Sequence, residues 1–185
     1  MVGEYRAVKP TVFWLEWPEE VRALVCTEAN PEGQITNSDL EMTGMLLLWL
    51  VIEMTVSDLE CKHFGLLDNN SPTVSWVDKM TSKNLKTAAA LLRILFMRLK
   101  LAHALPVIPM HIPGEENAIT DIPSPSFGRK LKWHCTTDEA FLTLFDSKFP
   151  LPQQNSWTLC HLSTEICSKV ISVLVTQRST PEEWR

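Results

Sequence analysis

The chain has 185 residues, 45% of them apolar and 21% charged, which suits one domain with a buried core and excludes a large multidomain enzyme or a wholly disordered chain. Lysine and arginine number 17 against 22 aspartates and glutamates, a formal net charge of −5, whereas a free-standing nucleic-acid binder usually carries a basic face. Five scattered cysteines and a start without the apolar core of a signal peptide point to reduced thiols in an intracellular setting, cytoplasmic or nuclear.

Thr11 to Trp17 (TVFWLEW) is β-branched and aromatic and stops at Pro18, which predicts a strand followed by a short helix over Glu19 to Val25. Ser38 and Glu41 have the spacing of a capping box just before an apolar run, so a helix is expected from Asp39 to Val56. Its longest apolar stretch is broken by Glu53 and falls short of the about 20 residues a membrane span needs, so no membrane partner is expected. Glu41 shares a helical face with Met45 and Leu48, a carboxylate turned toward the core side; as a first-turn acid it also suits a plain capping role.

Cys61 to Leu67 predicts a second strand that ends in the polar step Asp68, Asn69, Asn70. Ser71 and Pro72 then supply a cap and a first-turn proline for a helix to Lys79. A long helix is expected over Asn84 to Ala104, with Leu85, Leu92, Leu95, Leu99 and Leu101 inward and Lys86, Arg93, Arg98 and Lys100 spread along it. Pro106 to Ile112 reads as a third strand, with Pro109 favouring an edge position. A short helical stretch over Asn117 to Ile122, helices over Thr137 to Lys148 and Ser163 to Gln177, and a terminal TPEEW cap complete the chain. Strands interleaved with helices predict an α/β layer fold.

Several chemistries find little support. There is no G-x-S-x-G elbow, no C-x-x-C pair, no Walker loop and no dinucleotide glycine fingerprint. Cys61 and His63 alternate on one predicted strand, which does not make a nucleophile and its base. What remains is a set of acids at element ends, Glu41, Asp68 and Asp121, of the kind that hard, oxygen-seeking ions such as magnesium require when they converge. Any chain this acidic offers such triples.

The segments ITNSDLEMTGMLLLWL, DNNSPTVSWV, LLRILFMRLK and HIPGEENAITDIPSPSFG, in that order, resemble the ribonuclease H-like domain located after reverse transcriptase in retroelement polyproteins. The resemblance runs from about Pro10 to Gly128, and Phe141 to Arg185 resembles the region downstream of that domain. It implies a mixed sheet flanked by helices, with two magnesium ions held by four acids that hydrolyse the RNA strand of an RNA:DNA hybrid. Glu41 matches the family's helix glutamate and Asp121 its last aspartate. Asn69 stands where the family's second-strand aspartate precedes the N-S-P-T-V pattern, and Asp68, one residue away, is the available substitute. Strand side chains alternate faces, so Asp68 is expected to point away from the ions unless the strand end bulges.

The family's first aspartate and its central strand are expected to be missing, because this chain begins after them. The expected organisation is therefore a truncated ribonuclease H-like domain over 1–128 and a helical extension over 129–185. Two of four acids are absent, which predicts lost hydrolysis and weak or no magnesium binding. His111 reads as a core or edge residue, and Trp14, Trp17 and Trp76 as core residues before base-stacking platforms. The alternative to a silent nuclease is a protein-binding module, self-associating through the open sheet edge, or a remnant without function.

Overall fold

The computed structural model describes residues 9–13, 15–82, 86–117, 137–152, 156–177 and 184. Its elements are β1 (Thr11–Val12), α1 (Glu19–Arg22), α2 (Asn37–Thr55), β2 (Gly65–Asp68), α3 (Ser71–Asp78), α4 (Lys86–Leu101), β3 (Ile108–His111), a 3-10 turn (Gly114–Glu116), α5 (Asp138–Lys148), β4 (Thr158–Leu159) and α6 (Thr164–Thr176). The fold is mixed α/β, with helices dominant and two short parallel strand pairs. Among the described residues no helix is long and apolar enough to cross a membrane. Trp14, Asp121, most of the helical stretch expected at 117–122 and the 128/129 boundary lie outside the described residues.

The chain forms two compact units, the larger made of Glu16–Glu116 with Leu162–Arg185. Its centre is α2, buried on nearly every side through Met42, Met45, Leu46, Leu47, Trp49 and Leu50. A helix so apolar all round needs neighbours on several faces. It packs on α4, which contributes Leu91, Ile94, Leu95 and Leu99, while α6 packs on α4 and α1.

The start of α2 corrects the expected cap. Thr36 is the N-cap, its hydroxyl accepting from Asp39 N–H at 3.2 Å while Asp39 Oδ2 accepts from Thr36 N–H at 2.9 Å. The sequence offers two overlapping boxes, and the helix takes the earlier one. Similarly, α3 is capped by Asn70, whose Oδ1 accepts from Thr73 N–H at 3.0 Å, with Ser71 and Pro72 inside the first turn.

Strands β2 and β3 pair in parallel, Gly65 opposite Ile108 through Asp68 opposite His111, joined by α3 and α4. Strand β2 starts four residues later than expected, because residues 61–64 are drawn out of the regular ladder. Cys61 takes a left-handed φ of 55° and its N–H bonds to His103 O, itself at a φ of 52°. Leu101, expected inward on the long helix, is 49% exposed, since the helix ends there and the chain turns away through His103.

The smaller unit is Met1–Leu15 with Asn117–His161. Here β1 and β4 pair in parallel, Thr11 opposite Thr158 and Val12 opposite Leu159. Among the described residues of the strand expected over 11–17, Thr11 and Val12 alone enter a ladder, and β4 has no counterpart among the expected elements. Phe145 is the hub: Phe141, Phe149 and Trp157 place their rings 5.0 to 5.6 Å from it, and the Trp157 indole N–H reaches Phe149 O at 2.8 Å.

Candidate active site

Two of the residues singled out in the sequence, Asp68 and Asn69, stand at the carboxyl end of β2. Leu66 and Asp68 occupy the buried face of the strand and Leu67 the exposed one. Asp68 thus ends up 6% exposed, on the core side with Leu66. Its Oδ1 accepts from Asn70 N–H at 2.6 Å. Burial pushes the Asp68 carboxyl above the usual aspartate range, partly offset by the Asn70 N–H and by His111.

His111 is the residue that sequence reasoning sets aside. It is exposed at the end of β3, paired with Asp68 by register, and Ile112 N–H bonds to Asp68 O at 3.0 Å. No local signal links two residues so far apart in the chain; only strand register does. Asn69 comes directly after the strand, half-buried, beside the 3-10 turn: a side chain on Gly114 would meet its amide nitrogen at 3.5 Å. That is ordinary contact, so the turn rests against the amide.

The N-termini of α2 and α3 meet behind this end of the strand. Thr73, fully buried, shares its single hydroxyl hydrogen between Ser38 O at 3.2 Å and Asn70 Oδ1 at 3.1 Å. Glu41 stands three residues beyond Ser38, half-buried, with Asn37 Nδ2 at 3.5 Å from its Oε1. It takes no part in the capping box. Asp39 does, and it is the more buried acid: 2% exposed, with Oδ1 enclosed and, among the described residues, without a hydrogen-bond partner.

Of the four expected site residues, Asp68 and Asn69 stand together at the strand end, Glu41 belongs to the neighbouring helix start, and Asp121 lies outside the described residues. Among the described residues, no three histidine, cysteine, aspartate or glutamate side chains stand close enough together to hold a metal ion. Asp68 offers a carboxyl that burial favours in its protonated form, whereas an ion needs it ionised.

Compared with known proteins, the sequence matches no family model, no curated protein and no solved structure.

Proposed function

We propose that this chain is a ribonuclease H-like domain of retroelement descent, whose ancestral reaction was two-metal hydrolysis of the RNA strand in an RNA:DNA hybrid and which no longer performs it. The observation that carries the reading is the condition of the β2 end. The acid there, Asp68, is buried and held by a backbone N–H, and the next residue, where the family's strand acid stands, is the amide Asn69. Two magnesium ions bridged over a phosphate require several opposed carboxylates, and an amide oxygen brings no charge to that balance. The descent is supported by the motif order, and by a parallel pair of strands joined through two helices with a further helix start beside the carboxyl end.

The test is magnesium titration by calorimetry on the purified chain, with cleavage of a labelled RNA:DNA hybrid on the same sample. A folded chain with neither saturable uptake nor cleavage is expected, and Asn69→Asp is expected to bring magnesium uptake into the measurable range. Magnesium-dependent cleavage by the unaltered chain, abolished by Glu41→Gln, would overturn the loss of activity. A folded Asn69→Asp variant that still takes up no magnesium would overturn the placing of Asn69 at a ligand position.

A further inference from the structure

Helix α6 is over well before Trp184. It ends at Thr176, with Gln177 as its C-cap in the left-handed region at a φ of 56°. From there the sequence reads QRSTPEEWR, in which Trp184 is the one large apolar residue among charges, polar groups and a proline. Such a stretch offers too little apolar surface to make a core of its own. Trp184 is nonetheless only 5% exposed, within the larger unit. Bound peptides carry their affinity in the same way, on one or a few aromatic anchors.

The receiving side is built without it. Glu53 of α2 accepts from the Trp49 indole N–H at 2.7 Å and from Nε and Nη2 of Arg98 on α4, which fixes the guanidinium plane and leaves Nη1. That nitrogen donates to the main-chain oxygen of Trp184 at 3.2 Å. A guanidinium held in this way is a preorganised donor, and a main-chain oxygen is an acceptor that any peptide brings. Withdrawing Trp184 leaves no carboxylate unpaired, because Glu53 keeps its donors. Arg98, whose side chain is 29% exposed, can turn Nη1 to water. The pairing of α2 with α4 thus stays whole when one ring and one carbonyl leave it.

We propose that the Arg98 side of the α2–α4 crossing is a binding site for a tryptophan-bearing peptide segment, and that Trp184 is its tethered ligand, which leaves and returns while the helices stay folded. This site is independent of the ribonuclease reading. Two features define its ligand: a tryptophan side chain that becomes buried, and the main-chain oxygen of the same residue, which takes Nη1 of Arg98. The segment around Trp184 supplies both. Because ligand and site belong to one chain, a free peptide competes with an effective concentration of about 1 mM. A peptide that binds the vacant site at about 100 μM is therefore held off about tenfold by the chain's own tail.

Peptide binding to the whole 185-residue chain tests this. A fluorescein-labelled peptide of sequence STPEEWR is titrated into the unaltered chain and into Trp184→Ala, with fluorescence anisotropy as the readout and far-ultraviolet circular dichroism as the check on folding. Trp184→Ala is expected to keep its helical signal and to bind the peptide saturably. The unaltered chain should bind it about tenfold or more weakly, and the same peptide with alanine for tryptophan should bind neither. Nuclear magnetic resonance of Trp184→Ala gives a second reading: on peptide addition the Arg98 Nε–H and Trp49 indole N–H signals shift. Loss of the helical signal in Trp184→Ala would make Trp184 part of the core and overturn its assignment as a ligand. So would a folded Trp184→Ala chain that binds no peptide, that binds it no more tightly than the unaltered chain, or that binds it without a shift at Arg98 and Trp49.

Discussion

Replacing Glu53 by alanine tests the contact between the two long helices, because one carboxylate there serves three donors. Glu53 accepts from the indole N–H of Trp49 at 2.7 Å, from Arg98 Nε at 3.0 Å and from Arg98 Nη2, while Arg98 Nη1 donates to Trp184 O at 3.2 Å. The Glu53 side chain is 11% exposed and that of Arg98 29%; Trp49 is fully buried. Losing the acceptor leaves the Trp49 N–H enclosed and unpaired, at about 1–3 kcal/mol. Removing one partner of a buried ion pair costs about 3–5 kcal/mol, but Arg98 can turn part of its guanidinium to water, which places this pair at the lower end. The two losses share a carboxylate and do not add in full, so Glu53→Ala should cost about 3 kcal/mol. At about 2–4 °C per kcal/mol for a chain of this size, Tm falls by about 6–12 °C. Glu53→Gln keeps an acceptor for the indole and should cost about half as much. Urea unfolding followed by far-ultraviolet circular dichroism measures both. A Glu53→Ala midpoint within about 0.5 kcal/mol of the unaltered chain, at equal slope, would refute the network as a source of stability.

Other positions carry expectations of their own. A Cβ on Gly33 would stand 2.4 Å from Cys26 N and 2.6 Å from Val25 C, backbone atoms fixed by the Cys26 N–H to Ile35 O bond, so Gly33→Ala should cost about 2–3 kcal/mol; an unchanged thermal midpoint would contradict that geometry. Burial raises the Asp68 carboxyl above its unfolded value of 3.8, so the folded chain binds the proton more tightly; this group's contribution is fully present below that value and is lost as pH rises through the folded one. Asp68→Asn should remove that fall in stability above about pH 4, seen as flatter urea midpoints across weakly acidic pH, and an unaltered profile would count against the burial argument. Thr36→Ala and Asp39→Ala should each cost about 1 kcal/mol, and the double variant less than their sum, because each side chain caps the other's N–H; strict additivity would show the box does not act reciprocally.

The long elements are legible in the sequence because their signals are local. The apolar run before Glu53, the Leu and Ile spacing from Leu91 to Leu99, and the cap residues Thr137 and Ser163 each fix a helix to within a few residues, since helical periodicity and capping act over one or two turns. What misleads is choice between equivalent local signals. Thr36 with Asp39 and Ser38 with Glu41 both satisfy the capping spacing, and Asn70 and Ser71 are both good caps; packing chooses the start, as in the bond from Thr73 to Ser38 O that ties α3 to α2. Glu53 and Arg98 are legible only as a break in an apolar run and one of several dispersed cations. Their pairing needs the crossing of α2 and α4, which no single helix encodes. The strand β4 pairs two residues with two others far away, and so short a segment carries no period of its own.

The strand end shows the same division at the candidate site. Alternation along Leu66, Leu67 and Asp68 is visible in the sequence, but alternation has two phases, and the residues themselves do not say which face is buried. The phase comes from β3, through the bonds of Ile108 and Ile112 to Phe64 and Asp68, and from the helices that cover Leu66. Once it is set, three consequences arrive together: Asp68 turns into the core and its proton affinity rises, His111 becomes its cross-strand neighbour, and Gly65 and Leu67 are left facing outward on an edge without a proline. A single register therefore buries the acid at the strand end and leaves the alternate residues of the strand exposed. If Asp68→Asn shifts the acid-range stability as expected while Leu67→Lys, at a position 53% exposed, leaves it unchanged, the two effects separate along the same strand by alternate residues, as the alternation requires.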